Sequence, residues 1–305
     1  MNYRLFCEAF CDALEIIKKT KSANIKSKKK KLIDSFCDTI KTADVYNQEF
    51  HSVCHELETF NYLSQIKQTP IPSDDKKAGA DFNSDIGYIE CISLTLGDNK
   101  AKSDLLEKLK KYQDYISHDV HTLPEMIEPR FTSAVNDKKN KFDKYIKDGV
   151  IDKNSKCIIC VSPAILRHQT HSKTIEEIFE KILYGIDYLQ TMVFSRGNNS
   201  TKPEHIETFN NYKDICKKNE SVSFRTGYFN LDEYKNISAV ILTNRAIAER
   251  ITKNNFIVFL NHKATNKINE EKLKNIVYFS YDDVVKNRVQ FSYKNRKETI
   301  IPISE

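Results

Sequence analysis

Three short, uninterrupted apolar runs constrain the fold more than any other feature of the sequence. They are KCIICVSPA at 156–164, ISAVILT at 237–243 and NFIVFL at 255–260. A continuous run of this length is typical of a β-strand buried on both faces, because an exposed face would require alternating polar residues. Segments with helical periodicity precede and separate these runs. We therefore expect an α/β architecture in which a central mixed sheet is flanked by helices.

Apolar periodicity and chain breakers give the remaining elements. The predicted helices are 3–19, 29–42, 46–67, 100–117, 130–147, 172–195 and 203–218, and further short strands are predicted near 277–280, 289–293 and 298–302. Pro124 and Pro129 are read as breakers, which places the start of one helix at 130. These elements predict a helical N-terminal cap over 1–45 and one α/β domain over 46–305, with a core at 46–165 and a C-terminal extension at 166–305.

The composition is that of a folded protein. Of the 305 residues, 40% are hydrophobic and 30% are charged, which argues against a disordered chain. No apolar window reaches the length of a transmembrane helix, and Glu8, Asp12 and Glu15 interrupt the first helix, which therefore does not resemble a signal peptide. We expect a cytoplasmic protein without a membrane partner.

Lysine and cysteine usage leaves few specific signals. The formal charge is +6, and the lysine run at 28–31 is either a solvated face or a phosphate-contacting patch. Most of the eight cysteines lie in apolar contexts, where cysteine behaves as a small hydrophobic residue. Cys157 and Cys160 form a CxxC pair, but two isoleucines of a β-like run separate them. Because zinc and redox pairs usually lie in turns or at helix starts, we expect neither role for this pair.

Two acidic residues stand out around a turn at 83–87. Asp81 precedes the turn, and Glu90 lies nine residues on, inside the apolar strand GYIECIS. Two strands joined by a short turn can place such carboxylates side by side, where they repel each other unless a cation lies between them. Mg²⁺ in phosphoryl-transfer sites is usually held by one or two carboxylates. The alternative is that Asp81 caps the turn and Glu90 points to solvent from an edge strand.

The stretch ADF…GYIECIS resembles the central hairpin of the PD-(D/E)xK nucleases, the restriction-endonuclease-like superfamily. In that family an Asp comes from one strand and the (D/E)xK residues from the next, with a helix before the hairpin and a helix and a strand after it. The resemblance covers about 50–165. It implies a restriction-endonuclease-like core, Mg²⁺ or Mn²⁺ as cofactor with Asp81 and Glu90 as metal ligands, and hydrolysis of nucleic acid, DNA more than RNA. Bacterial defence or DNA processing would be the natural setting.

The chain departs from the family at the motif lysine, because the residue two positions after Glu90 is Ile92. In such a site a lysine orients the attacking water and stabilises charge on the phosphate. Some members of the superfamily carry this lysine on the next helix. In the predicted helix 130–147, Lys138 alone interrupts the apolar stripe, so it is either a lysine whose stem covers apolar surface or the relocated catalytic lysine.

Other basic and acidic residues complete the predicted site. Lys139 and Lys141 fall on other faces of the helix and are expected in solvent. Arg130, two turns before Lys138, is a candidate phosphate contact, and so are Lys76 and Lys77 in the loop before Asp81.

By the same resemblance, Glu56 on helix 46–67 would be the helix carboxylate that supports metal binding; otherwise it is an exposed charge beside the core. Nucleic acid is the expected partner, and a homodimer stays open. The rival interpretation is a nuclease fold that has lost catalysis and binds nucleic acid or a protein partner, which Ile92 favours.

Overall fold

A computed structural model shows a seven-stranded mixed sheet with helices on both faces, which confirms the α/β class. The structure describes residues 3–44, 46–73, 79–94, 107, 122–163, 172–185, 191–193, 205–207, 215–216, 223–224, 226–243, 256–273 and 276–280. The helices are α1 (Tyr3–Lys19), α2 (Ala23–Thr42), α3 (Gln48–Gln65), α4 (Thr122–Lys147) and α5 (Ser172–Tyr184).

The large sheet has the order β1-β2-β3-β4-β9-β10-β11. Its strands are β1 (Ile71–Pro72), β2 (Phe82–Ser84), β3 (Gly87–Ser93), β4 (Cys157–Ser162), β9 (Ile237–Thr243), β10 (Phe256–Leu260) and β11 (Val277–Phe279). The first three strands form an antiparallel meander, and β4 pairs parallel to both β3 and β9. The sheet therefore continues past residue 165, because three of its strands come from the C-terminal half.

Two apolar cores lie on opposite faces of this sheet. The α3-side core joins α1, α2 and α3 to Ile89, Ile158 and Ala239, and the α4-side core joins α4 and α5 to Ile159 and Val240. Every residue of β4 and β9 is buried, as the uninterrupted apolar runs predict. Side chains of a strand alternate between faces, so each strand supplies both cores in turn.

The prediction for α4 was wrong at its start. The helix begins at Thr122 rather than at 130, and it contains Pro129. Pro124 lies in the first turn, where a missing N–H costs no intrahelical hydrogen bond. Phe131 and Val135, which follow Pro129, are fully buried against the sheet, and this packing offsets the local cost of the proline.

The prediction for α5 was wrong at its end. The helix stops at Tyr184 rather than 195, because Gly185 adopts a left-handed conformation (φ 75°) and donates a closing hydrogen bond to the carbonyl of Lys181. Two-stranded sheets follow, formed by β5 (Thr191–Val193) with β6 (His205–Glu207) and by β7 (Ile215–Cys216) with β8 (Ser223–Phe224).

Those strands replace part of the helix predicted over 203–218, since β6 and β7 both fall within it. The strands predicted near 289–293 and 298–302, and the helix predicted over 100–117 apart from Glu107, lie outside the described residues. Among the described helices, none is long and apolar enough to cross a bilayer.

Candidate functional site

The β2–β3 hairpin brings Asp81 and Glu90 together. Its antiparallel register pairs Phe82 with Ile89, which places Asp81 opposite Glu90 one position further along. Asp81 Oδ2 accepts a hydrogen bond from the backbone N–H of Cys91 at 2.7 Å. This bond fixes the Asp81 carboxylate at the point where the short strand β2 can no longer pair with β3.

Glu90 points away from solvent into the face of the sheet covered by α4. Its neighbours Tyr88 and Ile92 pack on the α4-side core, and Glu90 itself is 0% exposed. An ionised carboxylate this deeply buried requires compensating charge or hydrogen bonds. The edge-strand alternative, in which Glu90 faces solvent, was therefore wrong.

Three side chains of α4 supply that compensation. Lys138 Nζ and Lys141 Nζ lie 2.6 and 2.8 Å from Glu90 Oε2, and the Tyr145 hydroxyl donates to Oε1 at 3.3 Å. The spacings of three, four and seven residues along the helix put these side chains on one face. The helix therefore presents two ammonium groups and a phenol to a single carboxylate.

The expected positions of the neighbouring lysines need correction. Lys141 was expected in solvent, but its long side chain bends from the edge of the apolar stripe to reach Glu90 and remains 40% exposed. Lys139, also expected in solvent, is only 13% exposed: it pairs with Asp143 at 3.0 Å and lies over the ring of Tyr234. Of these, only Lys141 joins the site.

Electrostatics around Glu90 combine repulsion and attraction. Burial raises the pKa of Glu90 above its ordinary value of 4.5, and the charge of Asp81 raises it further, while the two lysines offset part of the rise. Burial lowers the pKa of Lys141, but the hydrogen bond and charge of Glu90 outweigh this effect and raise the pKa overall. The contacts at 2.6 and 2.8 Å are those of an ionised carboxylate between two ammonium groups.

Glu56 lies on the opposite side of β3. Its carboxylate forms a salt bridge with Lys28 of α2 at 2.6 Å, and both side chains are mostly buried. Its charge also acts on Cys91, as does the charge of Asp81, and both contribute to the raised pKa of that thiol, which burial raises most. Glu56 is therefore near the hairpin but on the α3 side, paired with a lysine rather than exposed.

The predicted phosphate contacts divide into two cases. Arg130 is partly buried in α4, eight residues before Lys138, which corresponds to about 12 Å along a helix. Lys76 and Lys77 lie outside the described residues.

A second group of side chains lies on the α3 side of β3, and it was not predicted from the sequence. His55, Cys91 and Cys160 are all buried, and their donor atoms lie within 4.8 Å of one another. Burial raises the pKa of the Cys160 thiol, but a hydrogen bond from Cys91 and the charge of His55 outweigh it and lower the pKa to about 5. The sequence gives no signal for this group, because its members come from α3, β3 and β4.

Comparisons with known proteins do not assign the chain to a family. No protein-family model, no curated protein and no solved structure matches it. The function of this protein must therefore be inferred from the geometry around Glu90 and from the order of the elements that build it.

Proposed function

We propose that this protein is a Mg²⁺- or Mn²⁺-dependent nuclease that hydrolyses phosphodiester bonds in nucleic acid, DNA more than RNA. The contact of 2.6 Å between Lys138 Nζ and Glu90 Oε2 is the observation that carries the proposal. The ammonium group of Lys138 contacts Glu90, whereas Ile92, at the position of the motif lysine, has no charge to offer. The preference for DNA, and a role in bacterial defence or DNA processing, derive only from the resemblance to the PD-(D/E)xK nucleases.

The element order around the site supports a restriction-endonuclease-like core. Helix α3 precedes the meander β1-β2-β3, helix α4 follows it, and β4 then pairs parallel to β3. Asp81 immediately precedes β2 and Glu90 lies on β3, as in the family hairpin. The same fold can host other functions, so the side chains and not the topology must carry the chemistry.

The two carboxylates fit a hard divalent cation. Asp81 and Glu90 lie opposite each other across the hairpin, and the negative charge of Asp81 raises the pKa of Glu90 because like charges repel. A cation between them would relieve this repulsion. Asp81 and Glu90 would hold the ion, which supplies Lewis-acid polarisation of the scissile phosphate and acidifies bound water.

The remaining residues would act through charge and hydrogen bonding. Lys138 would hold the attacking water or stabilise the charge that develops on the phosphate, the role that the motif lysine has in the family. Lys141 adds a second positive charge, and the Tyr145 hydroxyl orients Glu90 through Oε1. Glu56 would support the site from the α3 side, and Arg130 would contact a flanking phosphate.

A cleavage assay tests the proposal. Purified protein is incubated with single- and double-stranded DNA and RNA, with Mg²⁺, Mn²⁺ or a chelator, alongside Glu90→Gln and Lys138→Ala. We expect metal-dependent cleavage that both substitutions strongly reduce, and Lys139→Ala serves as the matched control. Cleavage that persists unchanged in Glu90→Gln and Lys138→Ala would exclude the proposed site.

One observation favours a second function, a catalytically inactive nuclease fold that binds nucleic acid or a protein. Both ammonium groups contact the same atom, Glu90 Oε2, so a metal ion would have to compete with them. For this alternative we expect no cleavage under any condition, together with salt-dependent nucleic-acid binding that Glu90→Gln leaves unchanged.

A further inference from the structure

Cys91 and Cys160 lie side by side in the α3-side core. The parallel register of β3 and β4 pairs the two residues directly, and both side chains point to the face covered by α3. Both are buried free thiols. Parallel pairing between strands that are distant in sequence therefore brings two sulfur atoms together beneath one helix.

His55 lies on α3, the helix that covers Cys91 and Cys160, and completes the group. Its Nε2 lies 3.1 Å from the backbone carbonyl oxygen of Cys160. A carbonyl oxygen only accepts, so Nε2 carries a hydrogen. A metal ion binds the neutral imidazole, whose lone pair then lies on Nδ1. This nitrogen is buried and has no hydrogen-bond partner within the described part of the chain. Metal-binding histidines commonly donate their other ring N–H to a backbone carbonyl in this way.

We propose that His55, Cys91 and Cys160 form a binding site for a zinc ion. Two thiolates and one imidazole are a ligand set that Zn²⁺ prefers, with Zn–S of about 2.3 Å and Zn–N of about 2.0–2.1 Å. Tetrahedral ligands at these distances lie about 3.3–3.8 Å apart. One ring nitrogen of His55 and the sulfur atoms of Cys91 and Cys160 already lie within 4.8 Å of one another, which is close to this spacing.

The polar surroundings suit a bound ion. Thr59, one turn after His55 on α3, places its hydroxyl 3.6 Å from Cys160 Sγ and is fully buried. It therefore offers a polar oxygen beside one of the proposed sulfur ligands. Cys91 and Cys160 would bind as thiolates, and their protons would pass to solvent as the ion binds.

The zinc site is distinct from the Mg²⁺ site of the proposed function. Cys91 and Glu90 are consecutive on β3 but point to opposite faces of the sheet. Asp81 and Glu90 offer oxygen ligands, which suit a hard cation. The proposed zinc site on the α3 side of the sheet offers sulfur and nitrogen ligands. A zinc ion there would link α3 to β3 and β4, so its role would be structural.

Cobalt substitution tests this inference. The full chain is purified with reductant and chelator, and Co²⁺ alone is titrated while the absorption spectrum is recorded. We expect one Co²⁺ per chain, visible d–d bands of a tetrahedral ion and a near-ultraviolet thiolate-to-cobalt band that added Zn²⁺ abolishes. Both bands should be lost in Cys91→Ser and Cys160→Ser. The matched control is Cys157→Ala, which removes a buried thiol of β4 that faces α4, and it should retain both bands.

Further measurements separate misfolding from loss of ligands and distinguish this site from the nuclease proposal. Circular dichroism establishes that each variant is folded, and X-ray absorption of the zinc-loaded wild type should show two sulfur ligands and a nitrogen ligand. Glu90→Gln should retain the cobalt bands even though it removes a proposed Mg²⁺ ligand. Absence of the thiolate-to-cobalt band in fully reduced wild type would overturn the inference, and so would a disulfide between Cys91 and Cys160 in the protein as isolated.

Discussion

Lys138 on α4 donates a hydrogen bond of 2.6 Å to Glu90 on β3, across 48 residues of sequence. The lysine is 15% exposed and the carboxylate is fully buried, so the pair lies at the margin of the core rather than on the surface. Ile92, which stands at the motif position, packs on the α4-side core. In the proposed nuclease, this lysine of the neighbouring helix would supply the charge that the PD-(D/E)xK nucleases carry on the strand.

Substitution of Lys138 tests whether this ammonium group takes part in hydrolysis. Lys138→Met should lower the cleavage rate by about 100-fold or more, since loss of one donor that stabilises transition-state charge typically costs about 10²–10³ in rate. Lys139→Met is the matched control, because Lys139 pairs with Asp143 and not with Glu90. Single-turnover cleavage of labelled DNA measures both rates. Equal rates in the two variants would contradict a catalytic role for Lys138.

Lys138→Met should bind Mn²⁺ more tightly than wild type even though it cleaves more slowly. Lys138 and Lys141 both contact Glu90 Oε2, so a cation that binds this carboxylate must displace at least part of that interaction. A charge-assisted hydrogen bond contributes about 1.5–3 kcal/mol, so Lys138→Met should tighten Mn²⁺ binding by about tenfold or more. Isothermal titration calorimetry measures the affinity, with Glu90→Gln as the variant that loses it. Weaker Mn²⁺ binding in Lys138→Met would contradict competition at Glu90.

The parts of this site that the sequence could predict are those that depend on residues close together in the chain. The interrupted stripe of α4 identified Lys138, because helical periodicity is a local property. Lys141 was assigned to solvent because periodicity gives the direction of a Cβ atom but not the reach of a flexible lysine stem. His55, Cys91 and Cys160 could not be found, since the register of the parallel strands β3 and β4 is not specified by any connecting turn.

The fold likewise combines features with a local sequence signal and features that depend on contacts between distant segments. The uninterrupted apolar runs at β4 and β9 identified central strands, because a strand buried on both faces has apolar residues at nearly every position. The end of α5 at Tyr184 had a signal in Gly185 that periodicity alone overlooked. The place of β9 beside β4 follows from long-range pairing and has no such local signal.

The stability of the protein should depend on pH through Glu90. Its pKa is raised in the folded state, so between pH 4.5 and this raised pKa the folded chain retains a proton that the unfolded chain has lost. The free energy of unfolding of wild type should therefore fall relative to that of Glu90→Gln as the pH rises, by about 1.4 kcal/mol for each tenfold difference in the acid constant between the two states. Urea unfolding at several pH values measures the difference. The fall should be larger in the double variant Lys138→Met/Lys141→Met, and an opposite slope would contradict the raised pKa.

Gly87 should be required for the hairpin that carries both carboxylates. Its φ is +140°, and a Cβ atom at this position would lie 2.5 Å from the backbone oxygen of Lys156. Gly87→Ala should destabilise the protein by about 1–3 kcal/mol, the usual cost of a strained backbone. Gly79→Ala is the matched control, because among the described residues, apart from its chain neighbours, no atom lies within 4 Å of the added Cβ there. Thermal unfolding compares the two variants, and equal stability would show that β3 can shift away from Lys156.

Restoring a lysine at the motif position tests relocation against loss. Ile92 and Glu90 lie two positions apart on the same face of β3, about 6.6 Å along the strand, which is within reach of a lysine side chain. In the background of Lys138→Met, Ile92→Lys should recover cleavage by about tenfold, equivalent to about 1.4 kcal/mol of transition-state stabilisation. Ile92→Met in the same background is the matched control, because it has a similar length without the charge. If a folded Ile92→Lys variant cleaves no faster than this control, the ammonium group of Lys138 does not replace the motif lysine.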